Sequence, residues 1–214
     1  MYDIVVFDLD GTIIDSGLGI TNSVMYALKK YGIEVSDRAS LYKFIGPPLY
    51  KSFMNFYGFS EEEAHRGVDY YREYYSEHGV YENEVYEGIE ELIIKLHEMG
   101  KTIILATSKP EDYAKKILEY IGLAKYFTFI GGSEMSHTRV DKMEVIAYAF
   151  ENCGIIDYKN AIMIGDREYD IIGANHFNMD SVGVLFGYGS REELKSAGAT
   201  YIVSNALEIL DIVK

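Results

Sequence analysis

The sequence predicts an α/β fold, a Rossmann-like parallel sheet with an inserted all-helical domain. From Tyr86 onward, short apolar runs alternate with helix-length amphipathic segments, as in a doubly wound parallel sheet with right-handed crossovers. Residues 16–80 break this alternation, because they contain helical patterns and no strand-like run. We therefore expect a core domain of residues 1–15 and 81–214 and a helical domain of residues 16–80.

The predicted strands are runs of consecutive apolar residues bounded by turn residues. Such runs suit strands that are covered on both faces, as they are in a parallel sheet. These runs lie at Ile4–Phe7, Thr102–Ala106, Thr128–Ile130, Ala161–Ile164, Ser181–Leu185 and Tyr201–Val203.

The predicted core helices each end one or two residues before a glycine, which is the expected helix stop. They are Gly88–Met99, Glu111–Ile121 and Asp141–Asn152. In the insert, Ile20–Tyr31 and Glu61–Tyr75 have helical patterns. The insert follows directly on an unusual pair of acids. We therefore favour the interpretation that it is a lid over the end of the first strand, and not only a set of extra packing helices.

Composition limits the classes of partner. The 214-residue chain is 48% hydrophobic and 25% charged, with a formal net charge of −14. That charge argues against a nucleic-acid polymer or an anionic membrane as partner. No apolar run approaches the roughly 18–20 residues of a membrane span. The start of the sequence lacks a signal peptide's basic leader and Cys153 is the single cysteine, so we expect a cytoplasmic protein. For the oligomeric state, a monomer and a homodimer are both open.

Asp8 and Asp10 lie one residue apart at the end of the first predicted strand. Like charges this close cost free energy unless a metal or a reaction needs them. Ligands of open α/β sheets bind at the carboxyl ends of the strands, where further polar residues are expected to gather. The polar residues expected at this edge are Asp8, Asp10, Thr12, Thr107, Ser108, Lys109, Lys142, Asp166 and Asp170.

These residue types are the parts of a phosphoryl-transfer site with a divalent cation. A phosphate monoester repels an attacking carboxylate, so a hard cation such as Mg²⁺ must lie between them, with Asp8 and Asp166 as candidate ligands. A lysine ammonium neutralises charge on the transferring group. Hydroxyl and backbone N–H groups hold the phosphoryl oxygens, and Gly11 lets the backbone turn tightly against the substrate.

Four segments resemble the motifs of the haloacid dehalogenase (HAD) superfamily, in the order that this superfamily has. They are Asp8-Leu9-Asp10-Gly11-Thr12, Thr107-Ser108, Lys142 and Gly165-Asp166-Arg167-Glu168-Tyr169-Asp170. The resemblance covers essentially the whole chain, and the helical insert looks like the superfamily's C1 cap. Within the superfamily, the sequence most resembles the branch of phosphoglycolate phosphatases and 5′-nucleotidases.

The resemblance implies a role for each catalytic residue. Asp8 is the nucleophile that forms an aspartyl-phosphate, and Lys142 stabilises both this nucleophile and the phosphoryl group. Asp10 protonates the leaving alcohol and then activates water for hydrolysis. Dehalogenases of the same fold lack this second aspartate, so its presence indicates a phosphate ester as substrate. Close relatives usually have Lys-Pro in the third motif, where this chain has Lys142-Met143.

The resemblance also implies the binding residues. Thr107, with Ser108 beside it, binds the phosphoryl group. The Mg²⁺ site consists of Asp8, Asp10, Asp166 and Asp170, and in relatives the backbone carbonyl at the position of Asp10 meets the metal.

The segment Tyr42–Tyr50, YKFIGPPLY, interrupts the helical patterns of the insert. In C1-capped relatives the corresponding cap loop faces the substrate, so Phe44 and Gly46 are candidate substrate-binding residues. Aromatic rings in this loop suit a nucleobase. The nearby cations Arg38, Lys43 and Lys51 instead suit the small, anionic phosphoglycolate.

The sequence thus favours a Mg²⁺-dependent phosphatase that acts on a nucleoside monophosphate, phosphoglycolate or a sugar phosphate. A β-phosphoglucomutase-like mutase and a non-catalytic binder on the same fold remain alternatives. The segment from Asp8 does not match the calcium-binding loop of an EF-hand, because it has Ile13 where that loop needs glycine and Gly19 where it needs glutamate. A signalling receiver domain would be shorter and would lack the insert.

Overall fold

The computed structural model describes residues 1–135 and 139–214. The chain divides into two compact units, a core of Met1–Asp15 with Val85–Lys214 and a helical unit of Ser16–Glu84. The sequence predicted the return to the core at residue 81, and the structure places it at Val85. Residues 136–138, part of a polar loop in the sequence, lie outside the described residues.

Within the described part of the chain, six strands of the core form one sheet in which every pair of neighbours is parallel. Two further strands, β2 and β3, form a separate two-stranded sheet. The strands are β1 (Ile4–Phe7), β2 (Ile14–Asp15), β3 (Glu84–Val85), β4 (Thr102–Pro110), β5 (Phe129–Ser133), β6 (Ala161–Gly165), β7 (Asp180–Val184) and β8 (Tyr201–Val203).

The sheet has the strand order β5-β4-β1-β6-β7-β8, so β1 lies between β4 and β6. Ile4 pairs with Thr102 on one side and with Ala161 on the other. Val5, Val6 and Phe7 are inaccessible to solvent, as expected for an apolar run with neighbours at both edges and cover on both faces. The predicted α/β class with a parallel sheet is confirmed.

The helices are α1 (Gly17–Lys30), α2 (Leu49–Tyr57), α3 (Glu61–Tyr75), α4 (Ile89–Glu98), α5 (Glu111–Tyr120), α6 (Lys142–Asn152), α7 (Glu168–His176), α8 (Arg191–Ser196) and α9 (Ile209–Val213). Helix α6 shows how the core helices attach to the sheet. Its apolar side, which includes Val145 and Phe150, packs in one buried cluster with Val6 of β1 and Met163 of β6. This packing fixes Lys142, the first residue of α6, relative to the sheet.

Aromatic rings pack against one another in the helical unit. The ring of Phe44 lies 5.2 Å from that of Phe53 and 5.4 Å from that of Phe56, measured between centroids. Helix α3 starts at a capping box, in which Ser60 and Glu63 satisfy each other's backbone N–H groups. No helix in the described residues is long and apolar enough to cross a bilayer.

Candidate active site

The carboxyl edge of the core sheet brings three predicted acids together. Asp8 directly follows β1 and Asp166 directly follows β6, the neighbouring strand. Asp170 lies in the first turn of α7, where its Oδ2 accepts the backbone N–H of Arg167 at 3.1 Å. One carboxylate oxygen from each of the three acids lies within 4.8 Å of the others.

All three acids are buried, with exposed fractions of 8% for Asp8, 0% for Asp166 and 1% for Asp170. Burial raises the pKa of Asp8 to about 6, with Lys142 opposing this shift and the charge of Asp170 adding to it. Burial, followed by the charges of Asp170 and Asp8, raises the pKa of Asp166 well above its ordinary value. The raised pKa values mean that ionising Asp8 and Asp166 is costly unless a cation compensates their charges.

The Lys142 side chain reaches this triad from the start of α6. Its Nζ donates to Asp8 Oδ1 at 2.7 Å and to the Ala106 carbonyl oxygen at 3.0 Å, and it lies 2.8 Å from Asp170 Oδ1. Burial alone would lower the pKa of this ammonium, but Asp170 and Asp8 together raise it above its ordinary value. Lys142 therefore stays charged and fixes one oxygen of Asp8.

Asp10 has a different partner from Asp8. Lys109 Nζ donates to both carboxylate oxygens of Asp10, at 2.7 and 2.8 Å. Both side chains are largely buried, so the pair is shielded from solvent. The Asp10 carboxylate is accordingly not part of the acid triad, a distinction that the sequence pattern does not reveal.

Thr107 and Ser108 lie in the last part of β4, whose pairing with β5 is irregular between Ala106 and Pro110. Thr107 is buried, and its Oγ1 accepts the backbone N–H of Lys109 at 3.3 Å. Ser108 is partly exposed. Sequence reasoning placed these residues after the strand, whereas the structure continues the strand through them to Pro110.

The Asp8–Thr12 segment turns sharply beside Asp166. Gly11 has φ +83°, and a Cβ at this position would overlap the Asp166 carboxylate. Any other residue would therefore be strained here and would displace that side chain. The hydroxyl of Thr12 donates to Asp166 Oδ1 over a long 3.4 Å.

The substrate-binding candidates of the helical unit differ in exposure. Phe44 is only 1% exposed and packs against Phe53, so its ring could stack on a base only if the unit repacked. The substrate-binding role of Phe44 stays a prediction, and this packing does not support it. Gly46 has φ +102° in the segment between residues 44 and 49, and Tyr42 is 44% exposed.

The three candidate cations of this unit all have neighbours within it. Arg38 Nη1 donates to Thr21 Oγ1 and to Asn22 Oδ1, both at 2.7 Å. The ammonium of Lys43 lies over the ring of Phe56, and that of Lys51 over the ring of Tyr50.

One contact of Asp166 was not predicted. The backbone N–H of Tyr188 donates to Asp166 Oδ2 at 2.8 Å, from the loop that follows β7. The available sequence signal is Gly-Tyr-Gly-Ser at residues 187–190. It is too short for a dinucleotide-binding fingerprint and indicates no partner by itself.

These features define an α/β enzyme with a carboxylate site at the carboxyl edge of its sheet, and similarity to known proteins gives the family. The sequence profile of haloacid dehalogenase-like hydrolases matches residues 5–184. The chain therefore belongs to the haloacid dehalogenase-like hydrolase family.

Relatives within the family agree with this assignment. The chain is 39% identical over 213 residues to a 5′-nucleotidase of Pseudomonas aeruginosa, covering 100% of this chain and 96% of the relative. It is 24% identical over 218 residues to a phosphoglycolate phosphatase of Vibrio parahaemolyticus, covering 98% and 95%. The crystal structure of a predicted phosphatase from Clostridium acetobutylicum matches with a TM-score of 0.95 and 50% identity, covering 100% and 98%. The predicted superfamily, and with it the predicted class of phosphatase enzyme, is confirmed.

Proposed function

We propose that this chain is a Mg²⁺-dependent phosphatase that hydrolyses small phosphate monoesters, with Asp8 as the nucleophile. The observation that carries the proposal is the buried triad of Asp8, Asp166 and Asp170, whose carboxylate oxygens lie within 4.8 Å of one another. It lies at the strand ends where ligands of such sheets bind. Consistent with a small phosphorylated metabolite as substrate, the formal net charge of −14 disfavours nucleic-acid polymers and anionic membranes.

The triad fits a hard divalent cation. Its donors are all carboxylate oxygens, which suit Mg²⁺ rather than the softer transition metals. Burial and mutual repulsion raise the pKa values of Asp8 and Asp166, and a cation would remove that cost. Asp8, Asp166 and Asp170 would hold the ion, which when bound would reduce the charge repulsion between the phosphoryl group and the attacking carboxylate.

The side chains around the triad have complementary roles in this proposal. Lys142 donates a hydrogen bond to Asp8 Oδ1, which orients the nucleophile. Its positive charge stabilises the negative charge of the phosphoryl group that is transferred to Asp8. Thr107 and Ser108 bind the phosphoryl oxygens. The carboxylate of Asp8 attacks phosphorus, the bond to the leaving oxygen breaks, and an aspartyl-phosphate remains.

Asp10 transfers protons in this scheme and contributes no side-chain oxygen to the metal. It donates a proton to the leaving alcohol and later takes one from the water that hydrolyses the aspartyl-phosphate. Its pairing with Lys109 supports this division, because the ammonium holds both carboxylate oxygens apart from the triad. Any direct contact of Asp10 with the metal is assigned to its backbone carbonyl, as the family resemblance implies.

We further propose that nucleoside 5′-monophosphates are better substrates than phosphoglycolate. The 39% identity to a 5′-nucleotidase, against 24% to a phosphoglycolate phosphatase, supports this order. In the helical unit, Tyr42 offers an exposed ring of the kind that stacks on bases. Arg38, Lys43 and Lys51, the cations that phosphoglycolate would require, already contact other groups of the helical unit.

The test is phosphate release from nucleoside 5′-monophosphates, phosphoglycolate, a hexose phosphate and p-nitrophenyl phosphate, with Mg²⁺ or with EDTA. We expect release that requires Mg²⁺ and is fastest, in kcat/KM, for the nucleotides. Asp3→Asn, an exposed acid just before β1, is the control for Asp8→Asn. Phosphoryl transfer to a sugar without phosphate release would identify a mutase. No turnover of any ester would leave a non-catalytic binder.

A further inference from the structure

The loop that follows β7 encloses Asp166 from one side. The backbone N–H of Tyr188 donates to Asp166 Oδ2 at 2.8 Å, whereas the Thr12 hydroxyl reaches Oδ1 only at 3.4 Å. The residues on either side of Tyr188 are glycines for a steric reason. A Cβ on Gly189 would overlap the backbone oxygen of Asp166, and a Cβ on Gly187 would overlap the Gly11 carbonyl oxygen.

The side chain of Tyr188 anchors the same loop at a second point. Its hydroxyl donates to Asp15 Oδ1 at 2.5 Å. Asp15 ends β2 and is the last core residue before the chain enters the helical unit. A hydrogen bond to a charged acceptor is stronger than one between neutral groups, so this anchor resists movement of the loop.

We infer that Tyr188 is a positioning residue for Asp166. Its hydroxyl bond to Asp15 fixes the loop, the fixed loop directs the Tyr188 N–H at Asp166 Oδ2, and the carboxylate is thereby held in one rotamer. The inference rests on the proposed function in one respect, namely that Asp166 binds a divalent cation. It assigns a purpose to the Gly-Tyr-Gly segment, for which the sequence alone indicates none.

Holding Asp166 in one rotamer should affect both the affinity for Mg²⁺ and the preference for Mg²⁺ over Ca²⁺. Mg²⁺ requires near-octahedral geometry with oxygens at about 2.0–2.1 Å, whereas Ca²⁺ accepts 6–8 ligands in flexible arrangements. A ligand carboxylate that is free to turn therefore weakens Mg²⁺ binding more than Ca²⁺ binding. Hydrogen bonds that orient metal ligands are typically worth about 10–100-fold in metal affinity.

The test is calorimetric titration of the full chain with Mg²⁺ and with Ca²⁺, which requires no substrate. Tyr188→Phe removes the hydroxyl and keeps the ring and the backbone N–H. We expect its Kd for Mg²⁺ to rise about 10-fold and its preference for Mg²⁺ over Ca²⁺ to fall. Tyr2→Phe is the matched control, because the Tyr2 hydroxyl donates to Asp180 at 2.7 Å near the opposite edge of the sheet. It should leave both affinities unchanged.

Variants of Asp15 test the anchor from its other side, since Tyr188 also hydrogen bonds Tyr86. Asp15→Asn removes the charge and keeps an acceptor, whereas Asp15→Ala removes both. We expect Asp15→Ala to lower the Mg²⁺ preference as Tyr188→Phe does and Asp15→Asn to lower it less. The double variant Asp15→Ala/Tyr188→Phe should be no worse than either single one.

Two results would overturn the inference. One is an unchanged ratio of the Mg²⁺ and Ca²⁺ affinities in both Tyr188→Phe and Asp15→Ala, whatever the effect on thermal stability. The other is a wild-type chain that binds no Mg²⁺ at all. A wild type that binds Mg²⁺ as described and hydrolyses no phosphate ester would instead refute the proposed function and leave the positioning role standing.

Discussion

The carboxyl edge of the core and the interior of the helical unit bury different kinds of side chain. Among the described residues, every buried charged side chain belongs to the sheet edge, and these are Asp8, Lys109, Lys142, Asp166 and Asp170. The buried polar groups of the helical unit are all hydroxyls, and two of them, on Thr21 and Ser23, donate to carbonyl oxygens within α1. The rest of its interior is apolar, with Phe44 and Phe53 among the largest side chains.

This difference indicates that the sheet edge serves the reaction and that the interior of the helical unit serves stability. Burying charges costs free energy even when they are paired, so a cluster of five such groups is kept for what it does. Packed rings lower the free energy of the folded state through apolar burial and ring contacts. Substitutions at the sheet edge should therefore change the reaction, and substitutions inside the helical unit should change stability.

The largest effect is expected for Asp8→Asn. An amide neither attacks phosphorus nor binds a cation as a carboxylate does, so the loss in kcat should exceed the 10⁴-fold or so that marks the upper end of general acid–base effects. The fold should persist, because Lys142 keeps Asp170 and the Ala106 carbonyl as partners. Phosphate release and thermal unfolding measure the two quantities. Near-normal turnover would show that another group is the nucleophile.

Asp10→Asn should have the next largest effect. Loss of a general acid–base group typically lowers the rate by about 10²–10⁴-fold. Because the Asp10 carboxylate pairs with Lys109 and is not part of the triad, we expect the Mg²⁺ affinity to stay within a few-fold of wild type. Rates at saturating Mg²⁺ together with calorimetry decide the matter. If Mg²⁺ binding is lost while the rate at saturating Mg²⁺ is normal, Asp10 is only a ligand.

Inside the helical unit, Phe44→Ala should lower stability by about 3–5 kcal/mol, as expected for removal of a buried ring. Phe56→Ala is the matched control, because Phe56 belongs to the same cluster and is 37% exposed. Phe56→Ala should lower the free energy of unfolding, measured with denaturant, by less than Phe44→Ala does. Where Phe44→Ala remains folded, it should slow all substrates alike. A selective loss of nucleotide hydrolysis by a stable Phe44→Ala variant would break the contrast between the two regions.

Tyr42→Ala is expected to have the smallest effect on stability and to act on specificity. An exposed position changes stability by about 0.5 kcal/mol at most, whereas base stacking contributes about 1–3 kcal/mol. The ratio of kcat/KM for nucleotides to that for phosphoglycolate should fall by about one to two decades. Tyr81→Ala, at another exposed tyrosine of the same unit, is the control. Equal losses for both substrates would reject the stacking proposal.

Much of the core was predictable because its signals are local. The six apolar runs correspond to the six strands of the main sheet, and β1 has the predicted bounds Ile4–Phe7. Helix α2 was not predicted, because the Gly46-Pro47-Pro48 segment indicated an interruption. In the structure the helix starts directly after Pro48, where proline is compatible with a helix start.

The pairing of site residues was less accessible, because it depends on contacts between distant parts of the chain. The sequence places Lys109 and Lys142 at the same edge but does not say which acid each one contacts. In the structure Lys109 forms a salt bridge with Asp10, and Lys142 forms salt bridges with Asp8 and Asp170. The contact of Tyr188 with Asp166 likewise joins two loops that no periodic pattern relates.

The central claim is that the sheet edge carries out phosphoryl transfer through Asp8, and it is tested most directly by trapping the covalent intermediate. Enzyme mixed with a ³²P-labelled substrate and Mg²⁺ is quenched in acid within the first turnover. We predict protein-bound label that hydroxylamine releases, that maps to the peptide containing Asp8 and that Asp8→Asn lacks. With labelled p-nitrophenyl phosphate, whose leaving group needs no proton, label should accumulate in Asp10→Asn because only the step that activates water is then slowed. Rapid phosphate release with no protein-bound label at any quench time, or label on another residue, would contradict the account.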